Sequence, residues 1–150
     1  MAKFKFEMES ILNLKCRIAE QKEQEFAKAL AIVAQEKALL EKYINDKKLT
    51  IAKLKGEIDI KISPIDFKHL NNFIEHSKVN IAKQKEVIVK AEIFAEKKRQ
   101  ELIEATKERK MLDKLKENRY EEHIEEEKRD EQKQVDEVVS YRFKKASSTN

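Results

Sequence analysis

Residues 56–64 read GEIDIKISP, and this stretch decides the fold because it holds the only glycine and the only proline among 150 residues. Gly56 and Pro64 are the strongest local interruptions of helical structure that the chain contains. Elsewhere Ala, Glu, Lys, Leu, Ile and Gln dominate, and all of these except Ile are strong helix formers. The sequence therefore predicts two long helices that are joined once, at this stretch.

The composition narrows the class of protein. Charged residues make up 41% and hydrophobic residues 40% of the chain, a mixture typical of coiled coils. The net charge is only +4 and the two signs are interspersed, which disfavours a nucleic-acid-binding stripe. Cys16 is the only cysteine, so no intramolecular disulfide can form.

No apolar run approaches the ~20 residues that span a bilayer, and the first residues lack a signal-peptide core. We expect a soluble, cytosolic protein.

Apolar residues in the first helix alternate in steps of four and three, an average of 3.5 that winds two helices around each other. Upstream, Phe4, Ile11 and Ile18 repeat every seven residues but one position out of register, which predicts a shift of phase near Glu25. The predicted seam of this helix is Phe26, Leu30, Val33, Lys37, Leu40, Ile44, Lys47, Ile51, Leu54 and Ile58.

The second helix has the same period and a clear beginning. Ser63 is predicted to be the N-cap and Pro64 the first helical residue, where its missing N–H costs nothing. Asp66 suits the positive end of the helix dipole. The predicted seam of this helix is Phe67, Leu70, Ile74, Ser77, Ile81, Gln84, Ile88, Ala91, Ala95, Lys98, Leu102 and Ala105.

The predicted fold is an all-α, antiparallel two-helix coiled-coil hairpin with a longer second helix. We expect one domain with helix one at about 3–58, a turn at about 59–63, helix two at about 64–143 and a disordered tail at 144–150. A short connection forces neighbouring helices to run antiparallel. Residue i then faces roughly residue 122 − i, so helix two lacks a partner beyond about Arg119 and forms a C-terminal overhang. A long parallel self-dimer would bury the same seam, although the break at 56–64 argues against a continuous one.

The sequence changes character where the overhang begins. Between residues 116 and 134 the only sizeable apolar residues are Tyr120 and Ile124, and residues 116–137 contain ten acidic and five basic residues. A short apolar stripe follows, made of Val135, Val138, Val139 and Phe143. This stripe is either a frayed helix end or a docking surface for another protein.

The sequence offers no pattern typical of catalysis. The glycines of a phosphate-binding loop are missing. His69 and His76 share one helical face, but no carboxylate or cysteine completes a metal site beside them. A two-helix hairpin has no concave pocket for a substrate. We therefore expect no enzyme activity, no catalytic residues, no metal site and no cofactor.

Both ends of the chain match the sequence patterns of one known protein family. The N-terminal segment FKFEMESILNLKCRIAEQKEQEFAKAL is similar to the family pattern F-x-F-x-L-x-x-[IV]-L-x-[LI]-[KR], with Met8 in place of the usual leucine. Near the C-terminus, RKMLDKLKENRYEEHIEEEKRDEQKQVDEVVSYRF resembles the family's basic run, its polar helix and its D-E-[ILV]-[AV]-x-x-R-[FY] element. The residues that match this element are Asp136, Glu137, Val138, Val139, Arg142 and Phe143. On these motifs the chain resembles the FliJ family of the flagellar type III export apparatus.

This resemblance implies a function. Members of the family are antiparallel coiled coils, similar to the γ-stalk of rotary ATPases, that insert into the hexameric flagellar export ATPase and promote its assembly and activity. They also contact the export-gate protein FlhA and escort export chaperones. The implied location is cytoplasmic, at the cytoplasmic face of the membrane beneath the flagellum. No nucleic acid and no direct membrane insertion are expected.

The resemblance also implies binding residues. A gate-binding aromatic residue corresponds to Phe73, and Leu40 and Tyr43 match a second patch on helix one. Ser77, Asn80 and Gln84 depart from the family pattern. For the ATPase ring, the implied residues are Tyr120, Ile124, Val135, Val138, Val139, Arg142 and Phe143.

Two other functions fit the sequence pattern. The chain could be a generic scaffold or nucleic-acid-binding coiled coil, which would require Lys and Arg residues to share one face, for example near Lys83, Lys85, Lys90 and Lys97. It could also be the peripheral stalk of another rotary ATPase.

Overall fold

A computed structural model describes residues 3–57 and 61–148 of the chain. Within these ranges the secondary structure consists of helix α1, Glu9–Leu54, and the longer helix α2, Pro64–Ser148, without strands. The helices pack against each other in antiparallel fashion, which confirms the predicted all-α hairpin. Their contacts divide the chain into two units. We call residues 1–19 with 105–150 the terminal unit and residues 20–104 the turn unit.

Helix α1 ends at a left-handed glycine. Gly56 has φ of 74°, a value that glycine adopts without strain. Its N–H donates to the carbonyl of Lys53 at 3.3 Å, and the N–H of Glu57 donates to the carbonyl of Ala52 at 3.1 Å. These two bonds form a Schellman motif, which satisfies carbonyl groups at the end of the helix. Gly56 therefore ends α1, which we had expected to continue to residue 58.

Helix α2 begins as predicted. The Ser63 side-chain oxygen accepts a hydrogen bond from the N–H of Asp66 at 3.3 Å, and its carbonyl accepts one from Phe67 at 2.9 Å. Pro64 is the first helical residue. The cap and the fixed φ of proline together explain this helix start. Ile58 and the expected turn residues 59 and 60 lie outside the described residues.

Two other helix ends differ from the expected boundaries. α1 starts at Glu9 rather than near residue 3, and residues 3–8 form a non-helical arm. α2 continues to Ser148, through residues expected to form a disordered tail. Lys145 suits the negative end of the helix dipole. The hydroxyl groups of Ser147 and Ser148 donate to backbone carbonyl oxygens in the last turn, each at 3.0 Å.

The predicted seam of α2 is confirmed from Leu70 to Ala105, where every predicted position is buried or half-buried. Ile74, Ile88 and Ala95 are among the buried residues. The prediction for Phe67 is wrong, because this side chain is 52% exposed. Phe67 lies in the first turn of α2, and α1 has ended at Leu54 near the position that would have covered it.

The predicted seam of α1 is confirmed at most of its described positions. Phe26, Val33, Leu40, Ile44, Lys47, Ile51 and Leu54 are buried or half-buried as predicted. The prediction is wrong for Leu30, which is 48% exposed, and for Lys37, which is also exposed. The residues just before the predicted positions, Ala29, Glu36, Tyr43 and Thr50, are buried or half-buried as well. At Ala29 and Leu30 the smaller residue is the buried one, so side-chain size did not predict burial there.

The predicted shift of phase near Glu25 is wrong. Leu12 and Ala19 are buried, and they lie fourteen and seven residues before Phe26 on the same repeat. Ile11, which suggested the shift, is 44% exposed. A single seven-residue repeat therefore continues through α1.

Small side chains form one buried cluster in the turn unit. Ala29 is 2% exposed and clusters with Val33 and Ala95, with Ala91 packed against them. Polar groups are buried as well: Gln84 donates from Nε2 to the carbonyl oxygen of Glu36 at 2.9 Å. Alanine at Ala29, Ala91 and Ala95 leaves little side-chain volume between the two helices.

Ion pairs across the helices fix the register. In the turn unit, Lys22 pairs with Glu101 at 3.3 Å and Glu25 with Lys98 at 3.3 Å. In the terminal unit, Lys15 pairs with Glu108 at 2.7 Å. Each of these partners lies one residue from the predicted position, which confirms the predicted register.

A charge network in the turn unit shifts the ionisation of its members. Lys98 Nζ lies 3.3 Å from carboxylate oxygens of both Glu25 and Glu101. The hydrogen bond from Lys98 lowers the pKa of Glu25 below its ordinary value of 4.5, and the bond from Lys22 lowers the pKa of Glu101. The hydrogen bond to Glu25 raises the pKa of Lys98.

Acid should therefore weaken this network. A carboxylate whose pKa is lowered on folding contributes stability above its unfolded pKa and loses that contribution as pH falls through the folded value. The contribution of Lys98, in contrast, is lost only as pH rises above the ordinary lysine pKa of 10.5.

We expect Lys98→Met to raise the pKa of Glu25 toward 4.5, measured by NMR titration of the carboxyl carbon. Lys90→Met is the matched control, and an equal shift in that variant would contradict the assignment.

Candidate functional surfaces

The C-terminal part of α2 lies open in the terminal unit. Every described residue from Lys128 to Ser148 is exposed. Val135, Val138 and Val139 are 54%, 51% and 60% exposed. Their spacing of three and four residues places them on one helical face, and Arg142 follows one turn after Val138. We call these four residues the C-terminal stripe.

The stripe borders a shallow depression on the surface of α2. Its other lining residues are Glu131 and Gln134. Phe143 is 76% exposed and lies one turn beyond Val139 at the edge of the stripe. Tyr141 is 68% exposed but lies off the stripe, and the sequence interpretation passed over it. Exposed apolar patches of this kind are typical of protein–protein interaction sites.

Tyr120 lies against the N-terminal arm. The Phe4 ring packs edge-on against the Tyr120 ring with centroids 5.3 Å apart, and its centroid lies 5.5 Å from that of His123. His123 Nε2 is also 3.2 Å from a carboxylate oxygen of Glu127. α2 was predicted to lack a partner beyond about Arg119, and the Phe4 contacts move this boundary about one turn later, to His123. Every described residue after Glu127 is exposed.

This contact separates the candidate ATPase-binding residues into two groups. Tyr120 remains 49% exposed, and Ile124 is half-buried. Both belong to the stretch of α2 beside the arm, whereas Val135, Val138, Val139, Arg142 and Phe143 belong to the fully exposed part. The second group has the larger free surface.

The three candidate gate-binding residues lie in the turn unit. Leu40 and Tyr43 are half-buried seam residues of α1, so each also serves in packing. Phe73 is 45% exposed beside the seam of α2. In the observed register Tyr43 faces a position near residue 80, about 10 Å along α2 from Phe73. The structure thus places Phe73 apart from the other two.

The sequence interpretation missed a second exposed apolar group in the turn unit. Ile32, Val87 and Phe94 are 46%, 42% and 49% exposed. They do not belong to the seam, so the repeat of buried residues does not include them. The spacing of seven residues between Val87 and Phe94 along α2 was the available signal.

The structure gives no sign of a metal site or a membrane span in the parts it describes. Among residues 3–57 and 61–148, no three His, Cys, Asp or Glu side chains come together in a group that could hold a metal ion. Within the same ranges, neither helix has an apolar stretch sufficient to cross a bilayer.

Comparison with known protein families matches residues 4–148 to the family described as "Flagellar FliJ protein". No curated protein and no solved structure matches the chain.

Proposed function

The chain belongs to the FliJ family of flagellar proteins, and from this premise we propose that it is a non-enzymatic subunit of the flagellar export apparatus. Its C-terminal helix inserts into the hexameric export ATPase and promotes assembly of the active ring. The observation that carries this proposal is the exposed C-terminal stripe beyond Glu127, where α2 has apolar side chains and no covering helix.

The mechanism requires preferential binding to one state of the ATPase. A protein shifts an assembly equilibrium only as far as it binds the assembled state better than the separate subunits. Val135, Val138 and Val139 would bury apolar surface between ring subunits, and Arg142 would pair with a carboxylate there. Each apolar side chain that is fully buried contributes about 1.5–3 kcal/mol.

Two further partners belong to the same proposal. Phe73, Leu40 and Tyr43 contact the cytoplasmic part of the export gate, FlhA, and the chain also hands over export chaperones. Of the three residues, Phe73 has the most accessible side chain for such a contact. These interactions would hold the protein at the cytoplasmic face of the membrane beneath the flagellum.

Charged substitutions in the stripe test the ring contact. In the Val135→Asp, Val139→Asp double variant, stimulation of ATP hydrolysis by the purified export ATPase should fall at least about tenfold, because two carboxylates would be buried without partners. The matched control is Ser140→Asp with Ser147→Asp, which adds the same charge away from the stripe. Equal stimulation by both variants would contradict the proposed contact.

A further inference from the structure

Four accessible apolar residues of the turn unit lie along two lines, one on each helix. Ile32 and Leu39 are seven residues apart on α1, and Val87 and Phe94 are seven apart on α2. Leu39 is half-buried and the other three are 42–49% exposed. In a two-helix coiled coil, residues seven apart follow one line along the helix.

A charge network shows that the two lines border the same side. Glu25 lies seven residues before Ile32, and Glu101 lies seven residues after Phe94. Both carboxylates bind the same ammonium group, that of Lys98, at 3.3 Å. Lys98 Nζ also lies 5.3 Å from the centroid of the Phe94 ring. The two lines therefore run side by side from this network, and together they form one apolar strip.

The strip has definite ends. The Lys98 network bounds it at one end. At the other end Asp46 follows Leu39 by seven residues and Asn80 precedes Val87 by seven, so both lines become polar. Phe73 lies one further repeat beyond Asn80 and is not part of the strip.

Lysines flank the strip on both helices. The lysines lie four residues before or three residues after an apolar residue of the strip, on the side of each helix that faces away from the seam. They are Lys28 and Lys42 on α1, and Lys83, Lys90 and Lys97 on α2. Within residues 3–57 and 61–148, none of these five lysines forms an ion pair. Glu86 is an acidic neighbour on the same face of α2, so the lysines remain in excess.

The other side of α2 has different chemistry. Lys78, Lys85, Glu92 and Arg99 follow one another at intervals of seven residues. Three of these four take part in ion pairs: Lys37–Glu92 at 3.1 Å, Lys78–Glu75 at 3.0 Å and Arg99–Glu96 at 3.0 Å. Free positive charge thus accompanies the apolar strip.

We propose that this strip binds an acidic amphipathic helix of another protein, which lies along the hairpin as a third helix. An apolar stripe on that helix would cover Ile32, Leu39, Val87 and Phe94, and Glu or Asp residues beside the stripe would pair with the flanking lysines. Helix-in-groove recognition uses apolar anchors at such spacing, and charge complementarity selects the partner. This inference is independent of the proposed ring contact, because the strip and the C-terminal stripe belong to different units.

A designed peptide pair tests the inference with the full chain. The probe is a fluorescent three-heptad helix with Leu at the two seam positions and Glu at the flanking ones. The comparison peptide has Lys in place of each Glu. We expect anisotropy titration to show binding of the Glu peptide at least about tenfold tighter than that of the Lys peptide, with an affinity that falls as salt rises.

Two variants assign this binding to the strip. Ile32→Asn with Val87→Asn should weaken binding of the Glu peptide at least about tenfold. Lys83→Glu, Lys90→Glu and Lys97→Glu together should reverse the preference, so that the Lys peptide binds more tightly. The charge-matched control is Lys48→Glu, Lys68→Glu and Lys85→Glu, which should retain the original preference. Circular dichroism checks that every variant keeps its helices.

Three results would overturn the inference. In the first, the control triple variant changes peptide preference as much as the strip variant does. In the second, sedimentation shows that a second copy of this chain covers the strip and that Val87→Asn abolishes the dimer. In the third, the strip lysines are required for binding a DNA duplex but not for binding the Glu peptide.

Discussion

A chain that ends at Glu127 should lose nearly all of its stimulation of the flagellar export ATPase. This truncation removes the exposed part of α2 together with the C-terminal stripe, and it leaves the Phe4 contacts with Tyr120 and His123 in place. The loss would follow from missing partner contacts rather than from unfolding. The measurement is the rate of ATP hydrolysis by the purified ATPase at increasing concentrations of the truncated chain.

The point of truncation matters for the interpretation. A chain that ends at Arg119 would also remove the aromatic partners of Phe4, so a loss of stimulation could reflect damage to the terminal unit. The chain that ends at Glu127 avoids this problem. Its urea midpoint should lie close to that of the full chain. Normal stimulation by a folded chain that ends at Glu127 would contradict the proposed role of the stripe.

Ala29→Leu should strongly destabilise the turn unit. Ala29 is 2% exposed and packs with Val33 and Ala95, so a larger side chain must push the helices apart. Overpacking of a tight core costs about 1–3 kcal/mol. The free energy of unfolding, measured from urea denaturation followed by circular dichroism, should fall by that amount.

An exposed alanine on the same helix provides the control for this substitution. Ala31 lies two residues later and is exposed, so Ala31→Leu should change the free energy of unfolding by less than about 0.5 kcal/mol. Similar losses in both variants would mean that helix propensity, and not packing, decides the effect. The comparison therefore tests whether the narrow alanine seam holds the helices together.

The seven-residue repeat of apolar residues predicted the buried residues of α2 better than those of α1. In α2 the residues at the seam, such as Ile74 and Ile88, are also the apolar residues that a search finds first. In α1 the seam includes Ala29, whereas the larger Leu30 beside it is 48% exposed. At these two positions the larger residue is not the buried one. Packing against α2 determines which of the two is buried.

The candidate surfaces were predictable to different degrees. The C-terminal stripe follows from the lengths of the two helices and from an apolar period, both of which can be read in the sequence. Its beginning was predicted only to within about one turn, because the register places Phe4 near residue 118, whereas its ring lies against Tyr120 and near His123. Phe4 belongs to a non-helical arm, and the helical register does not determine where a side chain of this arm packs. The apolar strip of the turn unit was visible as a spacing of seven, but only the register showed that its two lines share a side.

The two helix ends at the turn are each closed by their own residues. Gly56 and Glu57 satisfy carbonyls of α1, and Ser63 satisfies an N–H of α2. Each of these caps is made by residues within a few positions of the helix that it closes. The ends of α1 and α2 at the turn are therefore determined locally, by short stretches of sequence, and not by the pairing of the two helices.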